Sequence, residues 1–146
     1  EISADSDFEN DSFTEIKDRI ASIVSTSPSS VFLTPSGMAS IYAAIRSARR
    51  RFIGKHEVQE CSDSIGGTSV VFGFPYLDTL KMCSRPEIVP GGVEFFGKGD
   101  IEDLKKLEEM LKERSKNSKY GFAGISVLIT EFPSNPLLNC PDLLKL

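Results

Sequence analysis

Two short apolar runs constrain this chain more than anything else in it. Ser-Val-Val-Phe at 69–72 and Ile-Ser-Val-Leu-Ile at 125–129 are rich in β-branched residues and carry no charge, so neither face of either segment suits water. A strand apolar on both faces needs cover on both, and the segment at 99–114 can supply it. There Ile101, Leu104, Leu107, Met110 and Leu111 recur at helical spacing along one face. A third strand-like run lies at 92–97. Strands separated by helices predict an α/β fold, with a mostly parallel sheet and helices on both faces. On the outer side of the amphipathic segment, Glu102 with Lys106 and Glu108 with Lys112 are spaced as i,i+4 ion pairs, so this helix is assigned no chemistry.

The remaining segments read more simply. Residues 1–12 are acidic and polar and predict a linker or frayed terminus ahead of a domain over 13–146. Phe13, Ile16, Ile20, Ile23 and Val24 then predict a helix that the polar stretch at 25–30 breaks. Residues 31–34, Val-Phe-Leu-Thr, predict a first strand. Pro35 and Ser36 lead from it into a second helical pattern of Met38, Ile41, Ile45, Ala48 and Phe52. Arg49, Arg50 and Arg51 fall near the end of that helix, where positive charge complements the macrodipole. The polar, glycine-bounded segment 53–67 predicts a loop or insertion.

Composition excludes several function classes. The chain has 146 residues, 40% hydrophobic and 26% charged, enough for one buried core, and its net charge of −4 gives no general attraction to nucleic acid or anionic lipid. Small molecules or other proteins are the expected partners. No apolar run approaches the roughly 20 residues of a membrane span, and the acidic start is unlike a signal peptide, so a cytoplasmic location is expected. Cys61, Cys83 and Cys140 are widely spaced and odd in number, which predicts reduced structural thiols, and His56 is the sole histidine, so no metal site is expected. The Asn-Asp-Ser at Asn10 is read as a chance sequon.

In parallel sheets, ligands collect outside the carboxyl ends of strands, which directs attention to the residues that follow each run. After the first comes Pro-Ser-Gly-Met. Gly37 and Met38 at a helix start would offer free backbone N–H groups to an anion, with Ser36 either capping the helix or bonding the anion. An ordinary turn with Ser36 as N-cap explains the tetrapeptide equally well. After the second run comes Tyr76, able to stack on a flat ring or to sit at the rim of the core. After the last come Glu131 and then Asn135, restrained by Pro136 to an extended conformation that would aim its amide or simply mark a turn. Together a phosphate cradle, an aromatic platform and an asparagine suit a phosphorylated planar cofactor.

At these residues the sequence resembles the Cys/Met-metabolism family of pyridoxal-phosphate enzymes, the cystathionine gamma-synthase group. Ser-Gly-Met-Ala-Ser-Ile resembles that family's phosphate-binding helix start. Tyr-Leu-Asp-Thr at 76–79 resembles its Tyr-Gly-Gly-Thr, and Glu-Phe-Pro-Ser-Asn-Pro at 131–136 resembles its Glu-x-Pro-x-Asn-Pro. The motifs occur in the family's order between Val31 and Leu146. The resemblance implies part of the large domain of an aspartate-aminotransferase-like, fold type I enzyme, with pyridoxal 5'-phosphate as cofactor. Ser36, Gly37 and Met38 would hold the phosphate, Tyr76 would stack on the pyridine ring and help move a proton, and Asn135 would lie near the ring oxygen and the substrate carboxylate. The implied reaction is gamma-replacement of the acyl group of an O-acylhomoserine by cysteine to give cystathionine, in a homo-oligomer. Cleavage of cystathionine or another C–S bond, and a non-catalytic binding or regulatory role, are the alternatives.

Three departures qualify the resemblance. Leu77 and Asp78 replace the family's two glycines, and the stretch between Met38 and Tyr76 is longer than usual. The lysine that binds the cofactor covalently and the aspartate that pairs with its ring nitrogen both follow the Asn-Pro motif in this family. Lys145 lies too close to that motif to be the lysine, so no catalytic residue is expected within 1–146. The chain is therefore expected to be a fragment of a larger enzyme, incomplete at the carboxyl end of its cofactor domain and inactive alone.

Overall fold

The structure is a computed structural model that describes residues 5–55, 67–117, 124–134 and 137–146. It falls into two compact units, Glu1–Ser40 and Ile41–Leu146, with the division inside one helix.

In the first unit, α1 spans Asp5–Ile23, so it begins within the acidic stretch that precedes its apolar spacing. A 3₁₀ turn follows at Pro28–Ser30, with Ser27 as its N-cap and proline at its first position, where the missing N–H costs nothing. The strand expected at 31–34 does not form: these residues join no ladder, and Phe32 is 83% exposed. β-branched and aromatic content marks fitness for a pleated surface, and without a neighbouring strand it yields only extended chain. Helix α2, Gly37–Lys55, then begins at the expected place.

In the second unit three strands form one parallel sheet. They are β1 (Thr68–Phe72), β2 (Val93–Phe96) and β3 (Ile125–Ile129), in the order β2-β1-β3. Between β1 and β2 lies α3 (Leu77–Cys83), and between β2 and β3 lies α4 (Ile101–Asn117). The central strand has both faces covered, as its composition requires. Val71 packs with Ile45 of α2, Cys83 of α3 and Val89 on one side. Val70 and Phe72 pack with Leu107 of α4 on the other, flanked by Leu104, Met110 and Leu111. The chain leaves β1 in one direction to reach β2 and returns across it to reach β3. The two crossovers run in opposite senses and α3 and α4 lie on opposite faces, as right-handed connections require.

The surface charges of α4 are arranged differently from the i,i+4 expectation at one place. Glu108 pairs with Lys112 at 2.5 Å as expected, whereas Lys106 pairs with Asp103 at 3.3 Å and Glu102 with Lys98 at 3.9 Å. The buried Asp103 is the closer and less screened partner, so it takes Lys106. Across the sheet, Arg114 of α4 bonds Glu94 of β2 and donates to Thr68 Oγ1 of β1 at 3.1 Å. Arg49 of α2 donates to the Ile88 carbonyl.

Candidate functional site

In the first unit the helix start is built by serine and threonine. Ser36 Oγ accepts from Ala39 N at 3.2 Å, an N-cap bond to the third helical residue. The Ser36 carbonyl accepts from Ser40 N at 3.1 Å and from Thr34 Oγ1 at 2.9 Å, and Thr34 and Ser40 share a hydroxyl contact of 2.5 Å. These bonds fix the cap without using the first two amides. Among the described residues, no hydrogen bond occupies the Gly37 or Met38 N–H. Gly37 is the first helical residue and not a positive-φ turn glycine, and Ser36 is the N-cap that the ligand-free reading also expects. Among the described residues, nothing beyond its chain neighbours and its own helical turn lies within 4 Å of where its Cβ would stand. Glycine is thus demanded by neither backbone nor packing, and what remains is an open approach to two unbonded amides and to the Ser36 hydroxyl, which keeps its own hydrogen for donation.

In the second unit the loops after β1 and β3 emerge side by side, because β3 pairs with β1. This is the point where the strand order reverses, and so the carboxyl-edge crevice of the sheet. Tyr76 follows β1 as the N-cap of α3, 48% exposed and without a side-chain cap bond. Its carbonyl accepts from Thr79 N at 3.0 Å. Leu77 and Asp78 are the first helical residues of α3 rather than loop, with Asp78 at a helix start that favours negative charge and bonded to Lys81 at 3.1 Å. Thr79 is fully buried and donates its hydroxyl to Glu131 Oε1, just after β3, at 3.3 Å. Thr130 Oγ1, beside Gly73, is a buried hydroxyl with no hydrogen-bond partner among the described residues. Phe132–Pro133 is a cis peptide. Asn135 lies outside the described residues, as do His56, Cys61 and most of the 53–67 insertion.

The loop between β2 and α4 closes the same edge. Gly99, at φ +62, brings the chain so near β1 that a Cβ would stand 2.8 Å from the Gly73 Cα. Asp100 Oδ1 caps α4 through Glu102 N at 3.1 Å and Asp103 N at 2.9 Å. Asp103 Oδ2 accepts from Lys98 N at 2.9 Å and Gly99 N at 3.2 Å. Burial alone would raise the Asp103 carboxyl, but the Lys106 ammonium and these two amides together hold it below the usual carboxylate range. A cleft of about 270 Å³ opens here, lined by Gly73, Lys98, Gly99, Asp100, Ser134 and Cys140 among others. Tyr76 is not on its wall.

Both described cysteines are free, Cys83 buried and Cys140 exposed, and burial pushes the Cys83 thiol up despite a bond with Ser69. Among the described residues no acidic, histidine and cysteine group could hold a metal ion, and no helix is long and apolar enough to cross a membrane. Thr79 closes the Tyr-Leu-Asp-Thr motif but carries no role in the sequence reading, because its partner lies 52 residues away.

A parallel three-stranded sheet covered by helices on both faces defines an α/β protein. The sequence is similar to cystathionine gamma-synthase of Neurospora crassa, 35% identical over 116 residues that cover 80% of this chain and 16% of that one. It is similar to a cystathionine gamma-synthase-like enzyme of Amanita muscaria, 35% identical over 124 residues covering 85% and 18%, and to cystathionine gamma-synthase of Saccharomyces cerevisiae, 31% identical over 154 aligned residues covering 100% and 21%. The chain belongs to the Cys/Met-metabolism family of pyridoxal-phosphate enzymes, alongside the fungal cystathionine gamma-synthases. It spans about a fifth or less of the length of these relatives. No family model matches it, and no solved structure matches it significantly.

Proposed function

We propose that this chain is the phosphate-seating part of a pyridoxal-phosphate-dependent C–S bond enzyme of fold type I, one that replaces the acyl group of an O-acylhomoserine with cysteine to give cystathionine. The observation that carries the reading is Gly37. A glycine opens a 19-residue helix at ordinary backbone angles, meets no neighbour, and leaves two amides unbonded. Within a Ser-Gly-Met motif of this family, the use left for that glycine is close approach by a ligand anion. The residues present therefore fit the phosphate of the cofactor.

In this reading Gly37 and Met38 donate their N–H groups to the phosphate, and the Ser36 hydroxyl adds a third bond while its lone pair still caps the helix. Tyr76, half-exposed at the start of α3, offers its ring as a stacking platform and its hydroxyl as a proton carrier. Asn135 orients the ring oxygen and the substrate carboxylate. When bound, pyridoxal phosphate supplies the electron sink that carbanion chemistry at an amino acid needs, while the chain supplies binding and orientation. Small amino-acid substrates, a homo-oligomeric assembly and a cytoplasmic setting belong to the same proposal.

The test is turnover by the full-length protein. With pyridoxal phosphate, cysteine and O-succinyl- or O-acetylhomoserine, cystathionine should accumulate and be identified by mass. Absence of product from every acylhomoserine, with the cofactor demonstrably bound, overturns the assigned reaction.

A further inference from the structure

The turn that carries Tyr76 is held from a distance. α3 has only 7 residues, so its placement depends on few contacts. Leu80 and Cys83 pack its inner side against the core around Val71 and Ile45. The start of the helix has a different anchor. Thr79, 0% exposed, donates its hydroxyl to Glu131 Oε1 at 3.3 Å, and the same residue's N–H bonds the Tyr76 carbonyl at 3.0 Å. One residue thus grips the Tyr76 peptide with its backbone and the end of β3 with its side chain. The bond crosses the crevice where the strand order reverses, joining the loop after β1 to the loop after β3. The bond gives the hydroxyl of the fully buried Thr79 an acceptor that water cannot reach to replace.

We infer that Thr79 and Glu131 form a positioning pair that fixes the Tyr76 turn against the end of β3, and through it the orientation of the Tyr76 ring. Neither residue touches the cofactor in this account. The inference rests on the reading of Tyr76 as the stacking residue, but it makes a structural claim that is read separately.

Hydrogen exchange on the full-length protein tests it, comparing Thr79→Val and Glu131→Ala with the hydroxyl- and acceptor-keeping variants Thr79→Ser and Glu131→Gln. The amides of Thr79 and Leu80, both bonded to the Tyr76 carbonyl, should exchange about fivefold faster in the first two, the scale of one hydrogen bond. They should stay at the wild-type rate in the conservative pair, and β1 should be unmoved in all four. Titration with pyridoxal phosphate should show a dissociation constant raised about fivefold in Thr79→Val and restored in Thr79→Ser. Unchanged exchange in the α3 turn overturns the inference. So does faster exchange spread through β1 with unchanged cofactor affinity, which marks a general loss of stability. If Thr79→Val does not fold, Glu131→Ala against Glu131→Gln decides the matter. A wild-type protein that takes no cofactor refutes the function proposed above, and the exchange pattern then decides the positioning claim by itself.

Discussion

Replacing Gly37 with alanine should move stability and cofactor affinity in opposite directions. In the absence of cofactor nothing opposes the new methyl group, since among the described residues no atom beyond its chain neighbours and its own helical turn lies within 4 Å of the Cβ position and the backbone there needs no positive φ. Alanine then restricts the unfolded chain without straining the folded one, a gain of about 0.4–1 kcal/mol. For a chain of 146 residues that raises the melting temperature by about 1–4 °C. With cofactor the sign reverses. Covalent geometry sets the methyl beside the residue's own N–H, where an approaching phosphate must sit. Losing one charge-assisted bond costs about 1.5–3 kcal/mol, which weakens binding about tenfold or more. The assay is a pair of measurements on one variant: urea unfolding without cofactor, and equilibrium titration with pyridoxal phosphate. A destabilised apo variant would show that packing or backbone geometry requires glycine after all. An unchanged dissociation constant would show that no anion approaches there. Either result refutes the reasoning.

Other consequences follow from the same geometry. Tyr76→Phe should keep cofactor affinity within about twofold, because stacking needs the ring alone, whereas Tyr76→Ala should lose about 0.5–1.5 kcal/mol of binding with little change in folding, the side chain being half-exposed. The Asp103 carboxyl is held below its ordinary range, so the stability it gives is present above the unfolded-state pKa near about 3.9 and is lost as pH falls through its folded value. Asp103→Asn should therefore cost about 1–3 kcal/mol at pH 7, and its urea midpoint should approach that of the wild type as pH falls through the folded-state value of the carboxyl. Iodoacetamide should label Cys140 in the native protein and reach Cys83 only on unfolding, since Cys83 is 0% exposed and its thiol is pushed up by burial; native labelling of Cys83, read by mass mapping, would contradict that packing.

What could be read from the sequence divides according to how far apart the deciding residues lie. The strands at 69–72 and 125–129 and the helix at 101–117 were legible because each carries its own evidence of burial in its period and composition. Residues 31–34 have the same composition, yet a strand also needs a neighbour, and that requirement is invisible in four residues. α3 was missed because seven residues give too few turns for a periodicity to show. Leu77 and Asp78 stand where the family has two glycines. As the first turn of a helix they are unremarkable: both have better helix propensity than the glycines they replace, and Asp78 suits the positive end of the dipole. A helical start directly after Tyr76 narrows the freedom of that residue where two glycines would widen it. The Thr79–Glu131 bond narrows it further by tying the same turn to β3. The helical start and the long-range bond therefore act in the same direction: both restrict the backbone that carries Tyr76, which under the proposed function would present its ring preset to the ligand.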